Sequence, residues 1–194
     1  MTGLISNLSR RWLERGRRKR FTGNLFDRSR GLEPVLEDCR GETILDIGSC
    51  DGLVAYEFAR AGASTIHGLE RDAADVYFAN RLFRDVPTES RFIQADLSIS
   101  GPEFDRRYGQ KLLPAYDMLL FLGVYHHLKR QAAPEALGSL IDVLLRRTRR
   151  RAVVRTKQID EMEERLRTAG FARVGEEFPE VAGMGPLRIY ERRG

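Results

Sequence analysis

The chain has 194 residues, of which 42% are hydrophobic and 31% are charged, a composition that fits one globular domain and excludes a disordered chain. No apolar run approaches the roughly 20 residues of a membrane-spanning helix, so we expect neither a transmembrane segment nor a signal peptide. The two cysteines, Cys39 and Cys50, cannot build a disulfide framework, and we therefore expect a reducing, cytoplasmic location.

The net charge of +5 is concentrated near the N-terminus, where residues 1–20 carry seven basic side chains and one acidic one. Apolar residues at helical spacing accompany them and predict a basic helix near the N-terminus. We therefore divide the chain into a basic amphipathic arm, residues 1–30, and a domain, residues 31–194. The arm is expected to serve as an anchor at the inner membrane surface, as an RNA-binding extension or as a lid. A second arginine cluster, at 146–151, is either a phosphate-binding patch or a solvated face.

Strands and helices are predicted to alternate from residue 43 onwards, which favours parallel βαβ units with helices on both faces of a sheet. The most regular helix is 133–147, where apolar residues recur at i, i+3, i+4 and i+7. The last two strands have no helix between them, so we expect an antiparallel hairpin. In chain order, the predicted elements are a helix at 32–39, a strand at 43–47, a helix at 53–61, a strand at 64–69, a helix at 72–84, strands at 91–95 and 116–122, a helix at 133–147, a strand at 152–155, a helix at 159–169 and strands at 171–177 and 187–191, while the pattern at 98–109 favours neither state.

The segment from Asp46 to Gly52 joins a buried strand to a helix through a glycine-containing loop. Glycines let the backbone approach a ligand, and the N-terminus of the following helix favours a carboxylate or a phosphate. Glu70 and Asp96 end the next two strands, where they could accept hydrogen bonds from ribose hydroxyls and from an adenine amino group. Cys50 replaces the middle glycine of the dinucleotide fingerprint, and no phosphate-loop lysine motif occurs, which favours a ligand without a diphosphate.

These motifs resemble those of class I S-adenosylmethionine-dependent methyltransferases, over about residues 35–193. The resemblance implies S-adenosyl-L-methionine (SAM) as the cofactor. It also implies an α/β fold, a single-domain Rossmann-like three-layer sandwich whose seven-stranded, mostly parallel sheet has an antiparallel last strand. The matching segments are Asp46-x-Gly48-x-x-x-Gly52 for the first motif, Glu70 for the second, Ala95-Asp96-Leu97 for the third, Tyr116–Gly123 for the fourth strand and Leu166-x-x-Ala169-Gly170-Phe171 for the junction before the final hairpin.

The resemblance also implies which residues would bind the cofactor, and all of them lie at or just after the ends of predicted strands. One departs from the family pattern, because Arg71 stands where an apolar residue is common, and its guanidinium is expected to stack on the adenine. The implied residues are Asp46, Gly48 and Ser49 for the methionine part, Cys50 and Gly52 in the same loop, Glu70 for the ribose, Arg71, Asp96 and Leu97 for the adenine, and Leu122 and Gly123 beneath the sulfonium.

Two histidines, His126 and His127, follow the fourth predicted strand, where the cofactor methyl and the acceptor should meet. An oxygen nucleophile benefits from a general base, and an imidazole titrates near neutral pH. We therefore predict that at least one of them contacts the substrate as a catalytic base, with His126 favoured; the alternative is that each packs or caps the turn. Tyr125 is predicted to line the substrate pocket, whereas His67, inside a strand, is expected to be structural.

The sequence thus predicts a SAM-dependent methyltransferase that acts on an oxygen of a small molecule or a lipid-linked glycan. An enzyme acting on transfer RNA or ribosomal RNA is the first alternative, although the Asn/Asp-Pro-Pro-aromatic tetrad of base-methylating enzymes is absent. A cofactor-binding scaffold without catalysis is the second. No metal site is predicted, and the sequence indicates neither the acceptor nor the oligomeric state.

Overall fold

The computed structural model of the chain describes residues 25–181 and 183–193. The helix predicted near the N-terminus lies outside the described residues. Within the described ranges, no helix is both long enough and apolar enough to cross a bilayer. The elements are α1 (Leu25–Ser29), α2 (Glu33–Glu37), β1 (Thr43–Ile47), α3 (Leu53–Ala61), β2 (Thr65–Glu70), α4 (Ala73–Leu82), β3 (Glu89–Gln94), α5 (Gly101–Tyr108), β4 (Tyr116–Leu122), α6 (Tyr125–Gln131), α7 (Pro134–Arg146), β5 (Thr148–Arg155), α8 (Ile159–Thr168), β6 (Phe171–Phe178) and β7 (Leu187–Arg192), with a short 3-10 helix at Gly109–Lys111.

Seven strands form one sheet in the order β3-β2-β1-β4-β5-β7-β6. β1 pairs in parallel with β2 and β4, and β7 runs antiparallel between β5 and β6. The predicted α/β fold, with a mostly parallel seven-stranded sheet and an antiparallel last strand, is therefore confirmed. The parallel strands β1 to β5 all end on the same side of the sheet, which we call the C-terminal edge and which begins at Ile47, Glu70, Gln94, Leu122 and Arg155.

Two apolar layers separate the sheet from its helices. Leu45 and Ile47 point into the layer beneath α5 to α8, whereas Ile44 points into the layer beneath α2 to α4. This alternation follows from the two-residue repeat of a strand. Because β1 and β4 are covered on both faces, their sequences are almost continuously apolar, which is why both strands were predicted with the correct bounds.

Helix α5 lies in the segment where the sequence pattern is ambiguous. Only Phe104 and Tyr108, four residues apart, supply its buried apolar side chains. Gly101 permits its close contact with α7, because a β-carbon there would overlap the carbonyl oxygen of Ser139, and the Ser139 hydroxyl accepts a hydrogen bond from the Gly101 amide at 3.0 Å. The helix therefore depends on packing against α7, which local periodicity does not reveal.

Helix α6 forms where the sequence indicates only a turn after the fourth strand. Its buried residues Tyr125 and Leu128 are three positions apart, too few to produce a visible period. The extended residue Ala133 then leads into Pro134 at the start of α7. As a result, His126 and His127 lie in the first turn of a helix.

The arginine cluster at 146–151 is largely neutralised within the fold. The solvated-face interpretation is wrong for Arg147 and Arg151, whose side chains are 17% and 6% exposed, whereas Arg150 forms its ion pairs at the surface, with its side chain 48% exposed. Strand β5 begins at Thr148, four residues before the predicted start, and includes three arginines of the cluster. The pairs join Arg147 to Asp105, Arg150 to Asp38 and Glu42, Arg151 to Asp38 and Glu191, and, at 3.9 Å, Arg149 to Asp117.

Replacing Arg151 by Met is expected to lower the free energy of unfolding by about 1–3 kcal/mol, because its buried guanidinium bonds Asp38 at 2.7 Å and Glu191 at 2.8 Å. Arg149→Met is the matched control. The Arg149 side chain is 60% exposed, so its loss should change stability by less than about 0.5 kcal/mol. Urea denaturation followed by circular dichroism measures both variants, and equal effects would contradict a structural role for Arg151.

Candidate functional site

The loop between β1 and α3 is shaped by residues with a left-handed backbone. Gly48, Cys50 and Gly52 have φ angles of 72°, 52° and 75°. Glycine adopts this conformation freely, whereas other residues adopt it at a cost. Cys50 thus occupies a backbone position suited to glycine. Burial and the charge of Asp51 raise the pKa of its thiol, so the thiol stays protonated and is not a nucleophile.

Two of the loop glycines pack too closely to carry a side chain. A β-carbon on Gly48 would lie 2.8 Å from the Val124 side chain, and one on Gly52 would lie 2.9 Å from the β-carbon of Ala79 on α4. Gly123, at the end of β4, differs: its φ is 76°, and no described atom lies within 4 Å of a β-carbon built there. The loop is therefore held tightly, and there is open space next to the end of β4.

The Glu70 carboxylate, at the end of β2, accepts three backbone hydrogen bonds. Its Oε2 accepts from the amide of Cys50 at 3.0 Å, and its Oε1 accepts from the amides of Arg71 at 2.6 Å and Asp72 at 2.9 Å. These charge-assisted bonds join the end of β2 to the glycine loop. A carboxylate oxygen has two lone pairs, so Oε2 retains the capacity to accept one further bond from a ligand.

The Asp46 carboxylate is buried beside Glu70. Its residue is 3% exposed, and none of the described residues donates a hydrogen bond to the carboxylate. Burial, followed by the charge of Glu70, raises the pKa of Asp46 to about 7. The Ser49 hydroxyl next to it is also buried, lies against Gly68 of β2 and has no partner in the described part of the chain. A buried carboxylate in this state indicates a site for a cationic group.

Arg28 of α1 contacts the same loop, although no sequence signal distinguishes it from the many other arginines of residues 1–30. Its guanidinium lies 3.3 Å from Oδ1 of Asp51 and 3.6 Å from the Cys50 sulfur. Its charge also acts on Asp46, whose pKa it lowers against the effect of burial. Arg28 thus places a positive charge above a loop that is otherwise acidic.

Arg155, at the end of β5, holds α1 in position. The Arg155 residue is 1% exposed, and its guanidinium donates to the backbone carbonyl of Asp27 at 3.0 Å and to that of Arg30. Gly31 then turns the chain with a φ of 83°, against the ring of Phe178 on β6. Residues 25–30, which the sequence assigns to the arm, therefore pack on the domain.

The residues predicted to bind adenine lie at the ends of β2 and β3. Oδ1 of Asp96 accepts from the hydroxyl and the amide of Ser98, and these bonds lower the pKa of Asp96, leaving Oδ2 to accept from a ligand. Leu97 is buried in the core, 5% exposed. Arg71 is exposed and donates to Oε1 of Gln131 at 2.9 Å, so it reaches from β2 to the end of α6.

The His126 and His127 rings are in contact, with centroids 3.9 Å apart. Burial, followed by neighbouring basic groups, lowers the pKa of both imidazoles, so both are neutral at pH 7. The charges of Arg71 and Glu70 also act on His127, and the hydrogen bond from Arg71 to Gln131 shows that α6 lies beside the end of β2. The third histidine, buried in β2, instead contacts the hydroxyl of Tyr116 at 2.6 Å, as expected of a structural residue.

Arg130 determines which nitrogen of His127 carries the proton. Its Nη2 lies 3.1 Å from Nδ1 of His127, and its Nε donates to the carbonyl of His126 at 3.2 Å. A guanidinium has no acceptor, so Nδ1 of His127 must accept the bond and the proton lies on Nε2. The His126 ring makes no hydrogen bond to a described residue, so its nitrogens are available to take a proton.

The structure places Tyr125 apart from the two histidines that follow it. The Tyr125 residue is 4% exposed, and its hydroxyl donates to Oε2 of Glu161 on α8 at 3.0 Å. Burial and Glu161 raise the pKa of Tyr125 to about 12. The same tyrosine borders an open depression of about 740 Å³ between α7 and α8, whose lining includes no residue of the glycine loop.

The remaining residues predicted to lie beneath the sulfonium, Leu122 and Gly123, end β4 beside β5. Leu122 pairs with Arg155, and the Gly123 amide donates to the Arg155 carbonyl at 2.8 Å. The C-terminal edge therefore brings together the glycine loop, Glu70, the end of β4 and the histidine pair.

No protein-family model matches the chain, and no curated protein is significantly similar to it in sequence. Its structure is nevertheless similar to solved structures. Magnesium protoporphyrin IX methyltransferase (ChlM) from Synechocystis PCC 6803, crystallised with bound SAM, has a TM-score of 0.67 at 16% identity, with 96% of each chain covered. A TehB-like SAM-dependent methyltransferase from Corynebacterium glutamicum has a TM-score of 0.62 at 18% identity, with 97% of each chain covered.

A third similar structure is the 1,6-didemethyltoxoflavin-N1-methyltransferase of Burkholderia thailandensis, crystallised with 1,6-didemethyltoxoflavin and S-adenosylhomocysteine. It has a TM-score of 0.62 at 18% identity, and the match covers 85% of this chain and 78% of that one. All three likenesses are structural, and each extends over most of both chains. The chain therefore has the fold of class I S-adenosylmethionine-dependent methyltransferases.

Proposed function

We propose that the chain is a SAM-dependent methyltransferase that transfers a methyl group to an oxygen of a small molecule or a glycan. The observation that carries the proposal is the buried Asp46 carboxylate beneath the glycine loop, to which no described residue donates a hydrogen bond. A buried carboxylate needs a cation or several donors. The α-ammonium group of SAM is such a cation, and solved proteins of this fold hold SAM or S-adenosylhomocysteine.

The other groups at the C-terminal edge fit the remaining parts of that cofactor. The free lone pair on Oε2 of Glu70 suits a ribose hydroxyl, and Oδ2 of Asp96 suits the adenine amino group. Arg28 offers a cation for the carboxylate of the methionine part. The open space beside Gly123 leaves room for the sulfonium and for an approaching acceptor.

SAM supplies a methyl group that its sulfonium already activates. The protein has to hold the acceptor oxygen in line with that methyl and remove the oxygen's proton. We assign the proton transfer to His126, which is neutral at pH 7 and whose ring nitrogens are available. His127, held by Arg130 with its proton on Nε2, is suited to donate a hydrogen bond to the acceptor.

An RNA acceptor and a non-catalytic scaffold are the competing functions. The RNA alternative relied on two basic segments, of which the cluster at 146–151 is paired within the fold and the other lies mainly outside the described residues. The discriminating experiment incubates the protein with methyl-labelled SAM and a host-cell extract, then separates lipid, RNA and small-molecule pools. Label in the RNA pool would favour RNA, and SAM binding without any labelled product would favour the scaffold.

Replacing Gly48 by Ala is expected to weaken SAM binding about tenfold or more, because the added β-carbon meets Val124 at 2.8 Å and displaces the loop. Gly41→Ala is the matched control: its φ of 78° resembles the 72° of Gly48, and no described atom lies within 4 Å of its β-carbon. Both should lose about 1 kcal/mol or more of stability. Isothermal titration calorimetry measures the affinities, and equal losses of affinity would disprove a specific role for Gly48.

Asp46→Asn is expected to abolish tight SAM binding and to stabilise the ligand-free protein at alkaline pH. Because the pKa of Asp46 is raised to about 7, the folded state favours its protonated form. Its contribution to stability is therefore lost as the pH rises from about 4, where the unfolded chain ionises, through about 7. At about pH 8 the variant should melt at a higher temperature than the wild type, and the difference should shrink as the pH falls. A less stable variant at about pH 8 would refute the assignment.

His126→Ala is expected to reduce labelled methyl transfer about 10²–10⁴-fold, whereas His127→Ala, which removes one hydrogen-bond donor, should reduce it about tenfold. SAM affinity should be unchanged in both. Because the pKa of His126 is lowered, the wild-type rate should be constant near neutral pH and fall only at a pH below the usual titration range of an imidazole. Full turnover in His126→Ala would exclude it as the base.

A further inference from the structure

We propose that the acceptor carries a carboxylate or phosphate group, separate from the oxygen that is methylated, and that Arg130 and Lys157 bind this anion beside His126. The inference rests on the proposed function and names the chemical class of its acceptor. It follows from the distribution of charge along the C-terminal edge and from the hydrogen bonds of Arg130.

Charges of opposite sign lie at the two ends of this edge. Asp46, Asp51 and Glu70 surround the glycine loop, where the cationic cofactor is proposed to bind. Arg130 and Lys157 lie instead beyond the ends of β4 and β5, where an acceptor would approach the methyl group. The acidic end suits a cation, and the basic end correspondingly suits an anion.

Arg130 is positioned but not neutralised. Two of its nitrogens bond the carbonyl of His126 and the ring of His127, and no described carboxylate forms an ion pair with it. Arginines on other helices differ: Arg106 pairs with Glu103 three residues earlier on α5, and Arg167 pairs with Glu164 three residues earlier on α8. In α6 the residues three and four positions before Arg130 are histidines and not acids. A guanidinium has five N–H donors, so Arg130 retains enough of them for a bidentate contact with an oxyanion.

Lys157 supplies a second positive charge at the same edge of the sheet. Leu122 pairs with Arg155, so the chain that leaves β5 towards Lys157 starts beside the chain that leaves β4 towards α6. Both Lys157 and Arg130 act on the charge of His126. The partner of Lys157 is Glu180 at 3.6 Å, in a pair whose side chains are 56% and 49% exposed. An exposed pair of this kind is weak, so Lys157 can turn to a bound anion.

The first test measures the binding of two anion probes to the full chain saturated with S-adenosylhomocysteine, at constant ionic strength. Inorganic pyrophosphate represents a phosphate acceptor and benzoate a carboxylate acceptor. Arg130→Gln should weaken binding of the better probe about tenfold, and Lys157→Gln should weaken it several-fold. Arg167→Gln is the control and should bind the probe as the wild type does. Affinity for S-adenosylhomocysteine should be the same in all four proteins.

The proposal is overturned if neither probe binds the wild type, or if Arg130→Gln binds as tightly as the wild type. The latter result would mean that Arg130 only caps α6 and orients His127. A second test asks whether the small-molecule product labelled from SAM is retained on an anion-exchange resin at neutral pH. A product that is not retained overturns the anionic acceptor but leaves the methyltransferase standing, whereas the absence of any labelled product overturns the proposed function itself.

Discussion

The geometry of the candidate site depends on the hydrogen bonds that the Glu70 carboxylate accepts from the amides of Cys50, Arg71 and Asp72. They join the glycine loop after β1 to the turn after β2. Cys50 and Glu70, which one of these bonds connects, are 20 residues apart in the chain. They also hold a negative charge beside the buried Asp46. The same bonds that shape the loop thus contribute to the raised pKa of Asp46 and to its demand for a cation.

Such a site is built at the expense of stability. A buried carboxylate without a donor among the described residues, a left-handed Cys50 and a Ser49 hydroxyl without a partner there each oppose folding. They are supported by the part of the sheet that is most deeply buried, since β1 and β4 are covered on both faces. Placing unfavourable groups at the ends of deeply buried strands lets a rigid framework hold them in position.

The sequence predicts best where a local signal and the global packing agree. The bounds of α3, residues 53–61, are predicted correctly because left-handed glycines, Gly52 and Gly62, flank it. The elements and contacts that escape prediction are those set by distant residues. Helix α5 depends on contact between Gly101 and α7, and the arginines of β5 find their acids at positions as remote as Asp38. Nothing in the local pattern distinguishes such an arginine from an exposed one.

The position of Arg28 in the candidate site is likewise not predictable from the sequence, but the structure explains it. Arg155 attaches α1 to the end of β5 through backbone carbonyls, so the attachment does not depend on which side chains stand at positions 27 and 30. The turn at Gly31 then fixes the direction in which the chain enters the domain. Because the backbone determines where α1 lies, Arg28 is presented to Asp51 and Cys50 in a defined place. A cation held in this way above Asp46 makes the loop complementary to a zwitterion, with the ammonium group directed at Asp46 and the carboxylate at Arg28.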